Sequence, residues 1–336
     1  MQKIRLSLFC ALIFGACLVS SCGNSDQDAS SEDSEFATIE DLNKQIRSDP
    51  NNAALYHQRA KQQMDKGFYE SAIKDLERAV KLDSTVADYH FTSGEAYFRV
   101  NQTRQSRDAF EKCVKLNPQH VEALLKLAEL YLYVNGNKKS IEYLDQALQV
   151  DKHLAKAYMM KGLNFKEMGD TVKALSSFQT AVEQDPEYYD AYMQLGLLSA
   201  AQNDPLAVAY YDNALNVDPV SVEALYGKAI FFQNSGDVNK ALEVYNIILG
   251  IKPDHISTQY NLGYIYAMNF KKYPLAVDFF RNAFKADSSY VKARYMLGYC
   301  QEMMGFDDLA AEDYTWVLQK DPDFDLATQG MRRLGF

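Results

Sequence analysis

Cysteine is scarce and poorly placed for cross-linking. Of five cysteines in 336 residues, Cys10, Cys17 and Cys22 crowd the start of the chain, and Cys113 and Cys300 stand far apart without a C-x-x-C pair. A disulfide framework and a thiolate metal site are therefore excluded as organising principles. Tryptophan occurs once, at Trp316, and bases are outnumbered, with 35 Lys and Arg against 45 Asp and Glu for a formal net charge of −10. Such a balance argues against non-specific nucleic-acid binding, which depends on Lys and Arg neutralising phosphates. Catalytic signatures are missing as well. H-E-x-x-H and G-x-S-x-G do not occur, and every glycine-containing turn reads as helix-to-helix rather than strand-to-helix, so no phosphate loop is expected. His57, His90, His120, His153 and His255 lie without partners at metal-ligand spacing. No enzyme, cofactor or metal site is expected.

What the chain has instead is a period. Residues 155–188 contain two amphipathic helical patterns. Tyr158, Lys161, Gly162 and Phe165 share one face of the first, and Ala174, Phe178 and Ala181 line the inner face of the second. Gly169-Asp170 separates them, and Asp185-Pro186 ends the second, because proline cannot donate to a continuing helix. The small residue of the first helix recurs as Ala60, Gly94, Ala128, Gly162, Gly196, Ala229, Gly263 and Gly298. The small residue opening the second recurs as Ala72, Ser106, Ser140, Ala174, Ala207, Ala241, Ala276 and Ala310. Pro50, Pro118, Pro186, Pro219, Pro253 and Pro322 keep the same beat, with Ser84, Lys152 and Ser288 in the remaining slots.

Steps of about 34 residues with small, aromatic and proline markers resemble the tetratricopeptide repeat (TPR) family. The resemblance spans residues 53–324 and implies an all-α, right-handed α-solenoid of about eight helix-turn-helix repeats. Residues 36–52, with an Ile39, Leu42, Ile46 stripe, read as an N-terminal capping helix. Residues 325–336 read as a C-terminal cap with Arg332 and Arg333 outward. Two repeats depart from the period: the fifth loses a residue at Asn203-Asp204-Pro205, and the seventh gains one within 269–274. Both changes are expected in the turn between paired helices. In the solenoid Cys113 and Cys300 are expected to be buried small side chains, and Trp316 to be covered by the terminal helix.

The family resemblance also implies a concave groove lined by the second, fifth, ninth and twelfth residues of each repeat. The fifth positions read His57, Phe91, Leu125, Met159, Met193, Tyr226, Tyr260 and Tyr295, and the ninth read Lys61, Glu95, Glu129, Leu163, Leu197, Ile230, Tyr264 and Tyr299. The ninth position changes from charged in repeats one to three to apolar in repeats four to eight. That change marks an apolar partner groove of Met159, Leu163, Met193, Leu197, Tyr226, Ile230, Tyr260, Tyr264, Tyr295 and Tyr299, with Asn261 offering an amide to a peptide backbone. Side chains at these positions can alternatively pack between adjacent first helices. The family's carboxylate clamp has no matching set, since Lys61 lacks its Asn and Arg companions.

Residues 1–21 carry Lys3 and Arg5, an apolar run from Leu6 to Val19 and a small-residue exit, as a secretory signal does. Leu18-Val19-Ser20-Ser21-Cys22 is similar to the bacterial lipobox, which implies lipidation of Cys22 and anchoring through acyl chains. Residues 22–35 then form an acidic tether without large apolar residues. The expected protein is an outer-membrane lipoprotein, facing the periplasm or the surface, that scaffolds protein partners. The alternative is a surface lipoprotein that captures a glycan or small ligand for uptake. Asp83-Ser84-Thr85 and Asp170-Thr171-Val172 resemble an O-glycosylation acceptor of exported bacterial proteins.

Overall fold

A computed structural model describes residues 38–336. The leader, Cys22 and the whole acidic tether lie outside the described residues, as do the first two residues of the expected N-terminal cap. Eighteen α-helices occur among those residues, and each packs chiefly on its neighbours in sequence. Helix α1 (Ile39–Ser48) precedes eight antiparallel pairs. The first four are α2 (Ala53–Asp65) with α3 (Tyr69–Leu82), α4 (Ala87–Arg99) with α5 (Thr103–Leu116), α6 (Val121–Tyr133) with α7 (Asn137–Val150), and α8 (Ala155–Glu167) with α9 (Thr171–Gln184). Then come α10 (Tyr189–Ala201) with α11 (Leu206–Val217) and α12 (Val222–Asn234) with α13 (Val238–Ile251). The last two are α14 (Ile256–Tyr264) with α15 (Tyr273–Ala286) and α16 (Val291–Met303) with α17 (Asp307–Lys320). Helix α18 (Asp325–Arg333) closes the array.

The core repeats one contact. Facing each small residue of a first helix is a large residue of the second: Leu76, Phe110, Leu144, Phe178, Tyr211, Tyr245, Phe280 or Tyr314. All eight are fully buried, each contributing about 1.5–3 kcal/mol by its removal from water. Sizes are matched across the contact. Ala60 and Ala128 face leucines, whereas Gly94, Gly162, Gly196, Gly263 and Gly298 face aromatic rings. A Cβ on Gly94 would lie 2.5 Å from Phe110, and one on Gly162 would overlap Phe178. Ala229 alone faces an aromatic, Tyr245, whose hydroxyl is held by Gln233 and Asn261. Where serine replaces alanine at the start of the second helix, its hydroxyl donates to the carbonyl across the crossing. Ser106 reaches the Gly94 oxygen at 2.7 Å and Ser140 the Ala128 oxygen at 2.8 Å, so neither buried hydroxyl is left unpaired.

The two turns of each repeat have separate causes. Between paired helices one residue adopts the left-handed conformation, as Gly169 does at φ 76°, and Asn101, Asn135 and Asn203 take the same role elsewhere. Between repeats the commoner marker is an acid or amide rather than proline, present at every corner except Lys252. The carboxylates of Asp83, Asp151 and Asp287 accept the backbone N–H two residues on, at 2.8–2.9 Å. These are the three sites where proline is missing, so the Asx turn holds the corner without it.

The two irregular repeats solve their changes differently. In the fifth, α11 is two residues shorter than most second helices, and Asp204 accepts the Leu206 N–H at 3.0 Å behind Pro205. In the seventh the extra residue enters the first helix itself, whose last turn, Ile265–Asn269, is π-helical. The expected confinement to the turn therefore fails there: the insertion widens the helix end, and Lys271 takes the left-handed slot at φ 53°.

Both ends are sealed. Thr38 and Asp41 form a reciprocal capping box on α1, which buries Leu42 and Ile46. At the other end Arg332 and Arg333 are exposed, as expected, and Arg333 is nonetheless engaged. It makes a bidentate pair with Glu302, at 2.5 and 2.8 Å, and Tyr314 donates to the same carboxylate at 2.6 Å. Trp316 meets Phe284 of α15 edge-on at 5.1 Å, so its ring packs on the preceding repeat. Cys113 and Cys300 are fully buried, and burial pushes their thiols up to about 11 and about 12.

Candidate functional site

Successive first helices touch one another, α2 with α4, α6 with α8 and α10 with α12, while successive second helices do not reach the same contact. The first helices therefore form the inner wall of the curve. Cross-ties run along it: His57 Nε2 to Thr92 Oγ1 at 2.8 Å, Lys166 Nζ to Gln194 Oε1 at 2.8 Å, and Asn261 Nδ2 to the Tyr226 hydroxyl at 3.1 Å.

The ten groove positions and Asn261 divide into two rows. The fifth-position residues are packing residues first. Met159, Met193 and Tyr295 are 8%, 4% and 9% exposed. Phe91, Tyr226, Tyr260 and Tyr295 each lie against the buried ring of their own repeat, respectively Phe110, Tyr245, Phe280 and Tyr314, at 5.6–6.1 Å for the first contact types. They also meet the residue that ends the repeat: His120, His255, Tyr290 or Phe324. Burial pushes the Tyr260 hydroxyl up to about 12. The reading in which these side chains join adjacent repeats accounts for their burial.

The ninth-position row is more open. Leu197 is 42% exposed and Tyr264 38% exposed, with Leu163, Ile230 and Tyr299 half-buried among them. Tyr264 stacks on Tyr260 at 6.5 Å, and Tyr299 meets Tyr273 edge-on at 6.4 Å. Exposed Met268, four residues beyond Tyr264, lies in the π-helical turn. Its place was not legible from the period, because the inserted residue shifts the register after Tyr264. The Asn261 amide nitrogen is already committed to the hydroxyls of Tyr226 and Tyr245, at 3.1 and 3.0 Å. Only its oxygen is left to accept a bond from another chain.

In repeats one to three the wall is polar. Glu129 pairs with Lys126 at 3.4 Å, and His57 is pushed down to about 4, first by burial and then by Lys61. Among the described residues no three His, Cys, Asp or Glu side chains are arranged to hold a metal ion, and no helix is long and apolar enough to cross a membrane.

Comparison with known proteins agrees with this geometry. Two tetratricopeptide repeat models match, one over residues 91–152, 159–206 and 205–256 and the other over 53–85. None of the matched models is a catalytic domain. A comparison with curated proteins finds no match. Among solved structures, the C-terminal part of a TPR repeat-containing protein from Cytophaga hutchinsonii is 21% identical, with 66% of this chain and 91% of that one covered at a TM-score of 0.58. A tetratricopeptide repeat protein from Parabacteroides merdae is 16% identical, covering 74% and 98% at 0.51. YrrB, described as a TPR protein with an unusual peptide-binding site, is 24% identical and covers 57% and 99% at 0.50. At these identities the likeness concerns the fold. Together the repeated helix pair and the family matches show that this chain belongs to the tetratricopeptide repeat family.

Proposed function

We propose that this chain is a non-enzymatic scaffold, tethered to the outer membrane of a bacterial cell envelope, that binds an apolar segment of a protein partner on its inner wall. One observation carries the binding reading: Leu197 and Tyr264, large apolar side chains about two-fifths exposed, stand on the wall that the fold leaves unpartnered. An apolar strip on a solvated wall gains from being covered, and Tyr offers contact area at low entropic cost. Envelope anchoring is supported by the Leu18–Cys22 sequence after a basic and apolar leader.

Binding is tested by placing a photo-reactive residue at Tyr264 in living cells, with convex Glu243 as the matched control. Position 264 traps one or a few proteins that position 243 does not; identical trap patterns overturn the groove. Anchoring is tested by mass spectrometry of the amino-terminal peptide. A diacylglyceryl group on Cys22, and its loss with accumulation of uncleaved leader in Cys22→Ser, is the expected result.

A further inference from the structure

The polar end of the wall has a chemistry of its own. Between α2, α4 and α6 lies a cleft of about 310 Å³. Four carboxylates line it, those of Asp65, Asp88, Glu95 and Glu122, against a single ammonium, Lys61. The two imidazoles do not balance them. His57 is neutral at pH 7 because burial and Lys61 hold its proton affinity down. His120 accepts the Ala123 N–H at Nδ1, 3.2 Å, which leaves its proton on Nε2, facing Asp88 at 3.7 Å. Outside this lining Lys126 and Arg99 also act on the cleft, Lys126 being engaged by Glu129.

Glu95 stands out within this cleft. It is half-buried, the ninth-position residue of its repeat, and among the described residues no hydrogen bond or ion pair within 4 Å reaches its carboxylate. Burial disfavours its ionised form more than the surrounding charges favour it. The lining also holds Met64 and the rings of Phe91 and His120, whose centroids are 4.6 Å apart. The carboxylates are spread along the cleft and do not converge as ligands of a metal ion. A planar, delocalised cation meets both conditions: its edge reaches separated carboxylates and its face lies on an aromatic ring.

From this charge complementarity we infer that the inner wall of repeats one to three seats an arginine side chain of a protein partner, so that the bound segment is bipartite, basic at one end and apolar at the other. The apolar half of that statement rests on the groove reading above; the arginine seat does not.

The test uses the full chain with 13C-methyl methionine, so that Met64 reports on the cleft and Met268 on the apolar end. The probes are acetyl-Ala-Arg-Ala-amide, its citrulline counterpart, and acetyl-Ala-Leu-Tyr-Ala-amide. The arginine peptide shifts Met64 saturably and the citrulline peptide does not. Glu95→Gln weakens the arginine peptide roughly three- to tenfold, as loss of one charge-assisted contact does, with its melting midpoint unchanged. Equal response to citrulline, an unaltered affinity in Glu95→Gln, or a silent Met64 overturns the seat. If Met64 is silent while the Leu-Tyr peptide shifts Met268, the seat falls and the groove stands. If Met64 responds to arginine and Met268 responds to nothing, the seat stands and the groove falls.

Discussion

The first three repeats and the last five share one backbone plan and present two different inner walls. At the ninth position the first three carry Lys61, Glu95 and Glu129, and the last five carry Leu163, Leu197, Ile230, Tyr264 and Tyr299. At the fifth position both halves use the residue mainly as mortar between repeats, whether it is His57 against Thr92 and Tyr89 or Tyr260 against Phe280 and Tyr290. The difference teaches that a repeat separates two demands that a globular core mixes. One row of a helix face holds the array together, and a row one turn away is released for recognition. Substitution at the ninth row can change a partner without loosening the stack, which is how neighbouring repeats come to differ in chemistry while agreeing in shape.

Substitutions can break that comparison or sharpen it. The largest effect is expected at the mortar of the apolar half. Tyr260→Ala should cost about 3 kcal/mol in chemical unfolding and raise hydrogen exchange in α14–α16, while His57→Ala costs clearly less. Equal costs would remove the asymmetry between halves. At their border, Gly162→Leu should cost about 1–3 kcal/mol by overpacking Phe178. An unchanged melting midpoint would contradict the helix crossing described for Gly162.

The polar half carries a pH signature. His57 has its folded pKa lowered to about 4 from an ordinary 6.5. The unfolded chain therefore binds a proton between about pH 6.5 and 4 that the folded chain refuses, and stability falls as pH is lowered through that window. Partial exposure screens the effect to about 1–2 kcal/mol. His57→Gln should flatten that part of the stability curve; a slope as steep as in the parent chain would assign it to other groups. The smallest structural effect is expected at the open row. Leu197→Ser and Tyr264→Ser should change stability by no more than about 0.5 kcal/mol while abolishing the cross-linked partner. A glycan ligand would instead show as heat on titration with oligosaccharides, lost in Tyr264→Ser.

The helix pairs were legible from the small residues, because Gly162 and Ala174 mark a close crossing that nothing larger can occupy. Proline marks the corners only in part, since Asp83, Asp151 and Asp287, one residue before the proline slot, fold the same corner without it. The split between groove rows was not legible from the family positions, which treat fifth and ninth residues alike. The signal lay in the residues that end each repeat, since an aromatic or histidine at 120, 255, 290 and 324 is a ready cover for the fifth-position ring. The π-helical turn had no sequence mark beyond one extra residue, and that residue could equally have lengthened the loop. Asn261 was readable as an amide in the groove, but its two tyrosine partners stand 16 and 35 residues away, on the preceding helix and on the first helix of the preceding repeat.

The matched sizes across the helix crossings bear on how such a chain finds its own shape. Eight near-copies in tandem invite a first helix to fold onto the second helix of the wrong copy, a characteristic failure of repeat proteins. The α2 surface with Ala60 would collide with Phe110 of α5, and the α4 surface with Gly94 would leave a void against Leu76 of α3. Alanine-leucine and glycine-aromatic pairs thus act as addresses, admitting the neighbour that belongs and penalising one from a different copy, by collision or by cavity.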